Sequence, residues 1–122
     1  MDRQSPVGQI VSAVGDFAEE YVAGADRWCV ALSGGADSLA LTAAAVQVRP
    51  TTALIVDHRL QPDSAAVAQT ARLQAMELGC VAAQVITVTV GNVGGPEAAA
   101  RTARYAALEQ ARDGTPVLIG HT

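Results

Sequence analysis

The sequence predicts an α/β fold in which a parallel sheet lies between layers of helices. Short runs rich in Val, Ile, Leu and Ala alternate with longer helical stretches, and such alternation implies right-handed βαβ crossovers and a parallel sheet. Half of the 122 residues are hydrophobic but only 3% are aromatic, which suits close packing of helices on a sheet. A chain of this length forms one domain.

The first predicted helix begins at Ser5-Pro6, because Ser is a favoured N-cap and Pro is favoured in the first helical turn. Apolar residues recur at helical spacing as far as Val22, and Gly24 then has the position of a C-cap. The first strand is predicted at 27–32 and the second helix at 38–48.

The later elements alternate in the same way, and Gly, Pro, Asp and Ser, which favour turns and helix ends, lie between them. They are a strand at 51–56, a helix at 64–78, a strand at 81–90, a helix at 96–112 and a strand at 117–119.

A glycine-containing loop at 33–38, Ser-Gly-Gly-Ala-Asp-Ser, connects the first strand to the second helix. Paired glycines let the backbone turn sharply and approach a ligand closely. Backbone amides and the helix N-terminus favour anionic oxygens, and the hydroxyls of Ser33 and Ser38 add donors. The carboxylate of Asp37 repels phosphate unless Mg²⁺ lies between them. We therefore expect a polyphosphate site with a magnesium ligand, the alternative being a serine-capped turn.

This loop differs from the common nucleotide-binding loops. The chain contains no lysine, so a G-x-x-x-x-G-K-[ST] loop is absent, and so is a G-x-G-x-x-G pattern. Ligands of parallel sheets lie at the carboxyl ends of the strands. The loop at 33–38, Asp57-His58 and His121-Thr122 all follow predicted strands, and we expect them at one site. Asp57 and His58 either border an adenosine pocket or form a strand-end cap with a solvated histidine.

Charge and cysteine content restrict the function classes. The 8 Arg and 12 acidic residues give a net charge of −4, which disfavours a stand-alone nucleic-acid binder. Cys29 and Cys80 form no C-x-x-C pattern, so we expect buried thiols. No signal peptide and no apolar run of roughly 18 residues occurs, which predicts a cytoplasmic protein with no membrane partner.

The loop at 33–38 resembles the PP-loop of ATP pyrophosphatases, which split ATP between the α- and β-phosphates and leave AMP on an acceptor. Three other segments are similar to tRNA(Ile)-lysidine synthetases. They are the V-D-H-x-L-x-x-x-S pattern at 56–64, the E-x-x-A-R-x-x-R-Y-x-x-L helix at 97–108 and the Ile-Gly-His-Thr ending at 119–122.

The resemblance, which covers residues 27–122, implies a Rossmann-like PP-loop ATPase domain of the adenine nucleotide alpha hydrolase-like type. We expect this domain at 26–122, truncated because the parent protein continues beyond it, and an N-terminal helix at 1–25. The implied activity of the parent protein is adenylylation of C2 of the wobble cytidine in the isoleucine tRNA with anticodon CAU. L-lysine then displaces AMP to give lysidine. ATP and Mg²⁺ are the implied cofactors, and tRNA is bound mainly by regions absent from this chain.

The resemblance also implies roles for single residues. Catalytic roles fall to Asp37 as metal ligand, to Arg101 at the α-phosphate and to His121. Arg101 and Arg104 share a helix face, so a solvated basic face is the alternative for them, and Tyr105 is expected in the core. The implied nucleotide contacts are Ser33, Gly34, Gly35, Ala36, Asp37, Ser38, Asp57 and His58.

The sequence departs from the family at two places. Gln61 stands where many members have Arg, and the D-D-x-x-E part of the last motif lies beyond Thr122. Two alternative functions stay open. One is another PP-loop enzyme, either an amidotransferase-type synthetase or a tRNA thiolase, although thiolases usually carry the cysteine pairs that this chain lacks. The other is a non-catalytic nucleotide-binding module, against which the carboxylate of Asp37 argues.

Overall fold

The computed structural model describes residues 6–21, 24–32, 36–59, 61–89 and 95–119, with the backbone alone at 6, 7, 21, 36, 37, 96 and 97. Strands and helices alternate along these residues as predicted. The helices are α1 (Pro6–Tyr21), α2 (Ala36–Val48), α3 (Ser64–Leu78) and α4 (Pro96–Arg112). The strands are β1 (Trp28–Ala31), β2 (Thr51–Asp57), β3 (Ala82–Thr87) and β4 (Val117–Ile119).

The four strands form one sheet in the order β3-β2-β1-β4, and all neighbours are parallel. In the centre, Val30 of β1 is in register with Ala53 of β2 and with Leu118 of β4. After β3 the chain returns to the opposite side of β1. The strand order therefore changes direction beside β1, and ligands of open α/β sheets bind outside the carboxyl ends of the strands at such a point.

Helices cover both faces of the sheet, which confirms the predicted three-layer α/β class. On one face, α3 packs on β2 and β3, and its three small residues Ala68, Ala71 and Ala75 join the core there. Side chains of α1 and α2 surround Trp28 at the same face. On the other face, Leu108 of α4 contacts the remaining side chains of the two central strands. The short alanine side chains let α3 approach the sheet closely.

Two element bounds differ from the sequence predictions by more than one residue. Helix α2 begins at Ala36, so Asp37 lies in its first turn and not in a loop before it. Strand β3 ends at Thr87, short of the predicted residue 90. Its neighbour β2 ends at Asp57, which is in register with Thr87, and the last bond joins the Val88 amide to the Asp57 carbonyl at 2.9 Å. Without further partner backbone, the β-branched residues that follow do not extend the strand.

Helix α3 has the predicted bounds. Its N-cap is Asp63, whose side chain makes no capping hydrogen bond. Its C-cap, Gly79, has a φ of 107°, and the Gly79 amide donates to the carbonyls of Ala75 and Met76. A positive φ favours glycine because a side chain at this position is strained. This glycine therefore ends the helix and turns the chain towards β3.

At the amino end of the sheet, a buried hydrogen-bond chain joins three residues. Trp28 Nε1 donates to Thr51 Oγ1 at 2.9 Å, and Thr51 Oγ1 donates to the Arg49 carbonyl at 2.9 Å. The Arg49 guanidinium lies 5.3 Å from the centroid of the Trp28 ring and donates to the Ala25 carbonyl. This chain satisfies buried polar atoms opposite the carboxyl edge, so its role is stability.

Both cysteines are free and buried, as predicted. Burial raises the pKa of the Cys80 thiol and, against a smaller opposing effect of Arg27 and Arg112, that of Cys29. Across the described ranges, no helix combines the length and the apolar character needed to span a bilayer.

Candidate functional site at the carboxyl edge of the sheet

The end of β1 leads directly into the candidate site. The Leu32 amide donates to the Leu54 carbonyl at 3.0 Å, so β1 stays paired with β2 to that residue. Helix α2 begins four residues later, at Ala36. The first amides of a helix have no intrahelical partner, and the helix dipole is positive at this end. The backbone of α2 therefore presents an anion-binding end at the carboxyl edge of the sheet.

Ser38, a predicted phosphate donor, is buried in the first turns of α2. Only 4% of its surface is exposed, and its carbonyl accepts a 2.7 Å hydrogen bond from Thr42 Oγ1. Thr42 is itself fully buried. The start of α2 is thus buried in the interior, which suits an anion site that must be preorganised.

Asp57 ends β2 and shapes the turn after it. Its side chain is 5% exposed, and Oδ1 accepts the Arg59 amide at 2.9 Å. Arg59 has a φ of 57°, in the left-handed region that non-glycine residues seldom adopt. The strand-end cap that the sequence offered as an alternative is therefore present, and Asp57 also lines a cavity described below.

His58 connects the end of β2 to α4. Its Nε2 lies 3.0 Å from the carbonyl oxygen of Ala100. A carbonyl only accepts, so Nε2 carries the hydrogen and Nδ1 is the acceptor of the neutral ring. The alternative of a solvated histidine does not describe His58, because its side chain is half-buried and bonded to a residue 42 positions along the chain.

A cavity of about 330 Å³ opens between the end of β2 and the start of α3. Small-molecule sites are typically at least about 300 Å³, mostly apolar and marked by a few polar groups. Strand and helix side chains give this cavity an apolar floor, and polar side chains stand at its mouth. The lining residues are Leu32, Ile55, Val56, Asp57, His58, Gln61, Asp63, Ser64, Val67, Ala68 and Ala71. Asp57 and His58 therefore both line a cavity, and its assignment to an adenosine stays a prediction.

Arg101 lies beside the Ala100 carbonyl that His58 contacts. Its side chain is exposed, and the guanidinium carbon is 5.5 Å from the centroid of the Tyr105 ring. Tyr105 is 36% exposed, so its predicted place in the core is wrong. The buried side chains that the structure describes on α4 are Ala99, Ala107 and Leu108, and Tyr105 occupies an outer position one helical turn from Arg101. Arg104 is half-buried.

Several predicted site residues lie outside the described part of the chain. They are Ser33, Gly34, Gly35 and His121, and also the side chains of Ala36 and Asp37. Searching the described residues finds no cluster of three or more His, Cys, Asp or Glu able to hold a metal ion. Mg²⁺ bound to a nucleotide uses one or two carboxylates together with phosphate oxygens. The role of Asp37, at the start of α2, as the single protein carboxylate of such a site stays a prediction.

The sequence reasoning missed the α3 wall of the cavity and the carbonyl acceptor on α4. Ser64, Val67, Ala68 and Ala71 recur at the spacing of one helix face, and they follow a strand whose end was already assigned to the site. That spacing was the available signal for the wall. No sequence signal could have predicted the bond between His58 and Ala100, because it joins a side chain to a backbone carbonyl across two crossovers.

Comparison with known proteins agrees with this architecture. A family described as PP-loop domain matches residues 7–122, so the chain belongs to the PP-loop family, as its loop predicts. It is also 66% identical over 122 residues to a protein named tRNA(Ile)-lysidine synthase from Mycolicibacterium paratuberculosis. The identity is 63% to the protein of that name from Mycobacterium tuberculosis (strain ATCC 25618 / H37Rv).

Each of these two alignments includes 100% of this chain and 38% of the relative. A third protein of the same name, from Nocardia farcinica, is 62% identical over 109 residues, covering 88% of this chain and 34% of the relative. The predicted likeness to lysidine synthetases is confirmed at the level of sequence. The chain spans little more than a third of the length of these relatives.

Proposed function

We propose that this chain is the ATP-binding part of a tRNA(Ile)-lysidine synthase. The observation that carries the proposal is identity of 63–66% along the whole chain to proteins of that name, within the PP-loop family. The cavity at the end of β2 and the start of α2 form the nucleotide site. We place the adenosine in the cavity, against Leu32 and Ile55, and the phosphates at the start of α2.

The two parts of this site are continuous along the chain. Leu32 lines the cavity, and the next residues are the loop at 33–35 that leads into α2. A nucleoside in the cavity therefore has its phosphates within reach of Ser33, Gly34, Gly35, Ala36 and Ser38. Amide donors at a helix N-terminus stabilise such oxygens without a lysine. Asp37 holds Mg²⁺, which when bound neutralises charge on the phosphates.

The reaction needs one more cation at the α-phosphate. The C2 oxygen of the cytidine attacks the α-phosphorus, the bond between the α- and β-phosphates breaks and pyrophosphate leaves. Arg101 moves from the Tyr105 ring to the α-phosphate and stabilises the charge that develops there. An amine of L-lysine then attacks C2, the bond from C2 to the AMP oxygen breaks, and AMP leaves with its electron pair. His121, which follows β4 by two positions in the sequence, is the further catalytic residue of this proposal.

RNA binding is assigned to other parts of the protein. The chain carries a net charge of −4, which opposes contact with a phosphate backbone. The relatives are more than twice as long, and we infer that their remaining parts contact the tRNA. Within this chain we propose a helical segment at 1–25 and a nucleotide domain at 26–122. The enzyme works in the cytoplasm, where tRNA and ATP are present.

The proposal is tested in the full-length protein that contains this chain. We expect ATP-dependent incorporation of labelled lysine into tRNA, and its loss in Asp37→Ala with the circular dichroism spectrum unchanged. Asp16→Ala is the matched control, because Asp16 is an exposed acid on α1. Full activity of Asp37→Ala contradicts the metal role. Pyrophosphate release with another acceptor indicates a different PP-loop enzyme, and ATP binding without any pyrophosphate release indicates a non-catalytic module.

A further inference from the structure

We propose that His58 is a positioning residue that fixes the first turns of α4, and through them Arg101, at the carboxyl end of β2. This inference rests on the proposed function, since it assigns Arg101 to the α-phosphate. Its basis is the 3.0 Å bond from His58 Nε2 to the Ala100 carbonyl, the residue immediately before Arg101. The bond joins the two sequence segments, 56–64 and 97–108, that carry much of the family likeness.

Among the described side chains, the first half of α4 buries only that of Ala99, which is 6% exposed. Its side chains before Arg101 are mainly alanines, which bury little apolar area. Its N-cap is Gly95, with a φ of 90° and no side-chain capping bond. The large core contact of the helix is Leu108, in its second half. Without the His58 bond, the end of α4 that carries Arg101 is held mainly by the small side chain of Ala99, and we expect it to tilt more easily than the end held by Leu108.

A small tilt of α4 about Leu108 moves Arg101 considerably, because the two residues lie far apart along the helix. Arg101 and Leu108 are seven positions apart, which is about 10 Å along a helix axis. A tilt of roughly 5° about Leu108 therefore displaces the Arg101 backbone by about 1 Å, and a misplacement of that size can cost about 100-fold in rate. We expect loss of the bond to lower kcat by at least about tenfold. His58 also lines the cavity, but the proposed nucleoside contacts Leu32 and Ile55 stay in place, so we expect the KM for ATP to stay within about twofold.

Two substitutions with side chains of similar size distinguish the loss of the hydrogen bond from a change in side-chain volume. The amide nitrogen of His58→Gln reaches roughly the place of Nε2, whereas that of His58→Asn reaches only the place of Nδ1. We expect His58→Asn to show the loss of kcat in the full-length protein and His58→Gln to recover most of it. Thr102→Ala, at an exposed position of the same helix, is the control for changes in α4. Equal kcat values for the Gln and Asn variants overturn the proposal.

A double-mutant cycle tests whether His58 acts through Arg101. If it does, His58→Asn has little further effect on kcat once Arg101 is replaced by Ala, because there is no guanidinium left to position. Additive losses, or a loss confined to the KM for ATP, show instead that His58 contacts the nucleotide itself and overturn the proposal.

Hydrogen exchange supplies a readout that is independent of the reaction. We expect amides at 98–104 to exchange at least about fivefold faster in His58→Asn than in the wild type, as one hydrogen bond is lost, and to be protected again in His58→Gln. Identical exchange in all three proteins overturns the positioning role. If wild-type protein makes no lysidine while this exchange pattern holds, the proposed function fails and the link between β2 and α4 stands.

Discussion

Filling the cavity at the end of β2 should raise the free energy of unfolding and weaken nucleotide binding. Ala68 lies on α3, is 5% exposed and lines the cavity. In Ala68→Leu, the added carbons enter that empty space. Burial of a methylene-sized group stabilises by about 0.8 kcal/mol, and ordering the side chain costs about 0.5–1 kcal/mol. For the added carbons we expect a net gain of about 1–2 kcal/mol in the free energy of unfolding.

Ala75→Leu is the matched control, with the same substitution on the same side of α3. Ala75 is fully buried among core residues and does not line the cavity. The larger side chain has no empty space there, and overpacking typically costs about 1–3 kcal/mol. The two variants should therefore change the free energy of unfolding in opposite directions.

The affinity for ATP should fall in the variant whose stability rises. We expect Ala68→Leu to weaken ATP binding at least tenfold, about 1.4 kcal/mol, and Ala75→Leu to leave it nearly unchanged. The assays are urea unfolding and isothermal titration calorimetry on the full-length protein. Wild-type ATP affinity in Ala68→Leu would refute the assignment of this cavity to the adenosine.

Three further predictions concern stability. Trp28→Phe removes the bond to Thr51 and leaves the hydroxyl without its donor, so the free energy of unfolding should fall by about 1–3 kcal/mol; a denaturation midpoint equal to that of the wild type contradicts this. Gly79→Ala places a side chain at a φ of 107° and should cost about 1–2 kcal/mol, measured in the same way, with Gly15→Ala inside α1 as the control that is not destabilised. Burial raises the pKa of the Cys29 and Cys80 thiols above 9.0, so their contribution to stability is fully present below about pH 9 and is lost as the pH rises through the higher folded values. Unfolding curves from pH 8 to 11 should show this decline, and an unaltered decline after both cysteines are replaced by alanine would assign it to other groups.

Most of the fold could be predicted because local signals and tertiary packing agree. Gly79 ends α3 where the chain needs a positive φ, and α4 begins at Pro96 as the sequence indicates. The exceptions follow from contacts that local pattern does not contain. Strand β3 ends where its neighbour does, and Tyr105 is exposed because Leu108 supplies the core contact of α4.

The sequence predicts at which edge of the sheet the candidate site lies, but not how its side chains are oriented. The rule that ligands lie at strand ends placed Asp57 and His58 on one wall of the cavity, where they are found. The same rule gives no side-chain orientation, so it could not show that Asp57 caps the turn at Arg59 or that His58 reaches α4. Such contacts depend on how the crossovers pack.

The strand order has a consequence for how the protein folds. Trp28 of β1 pairs with Thr51, which follows early in the chain, whereas Cys29 of β1 pairs with Val117, which is synthesised much later. Closing the longer loop costs more entropy, so we expect β1, β2 and β3 to associate first during synthesis and β4 to dock after them. Pulse-labelling exchange should then protect the β2 amides before those of β4. Until that docking, one side of β1 stays open to pairing with a neighbouring nascent chain, which makes this border the point most exposed to aggregation.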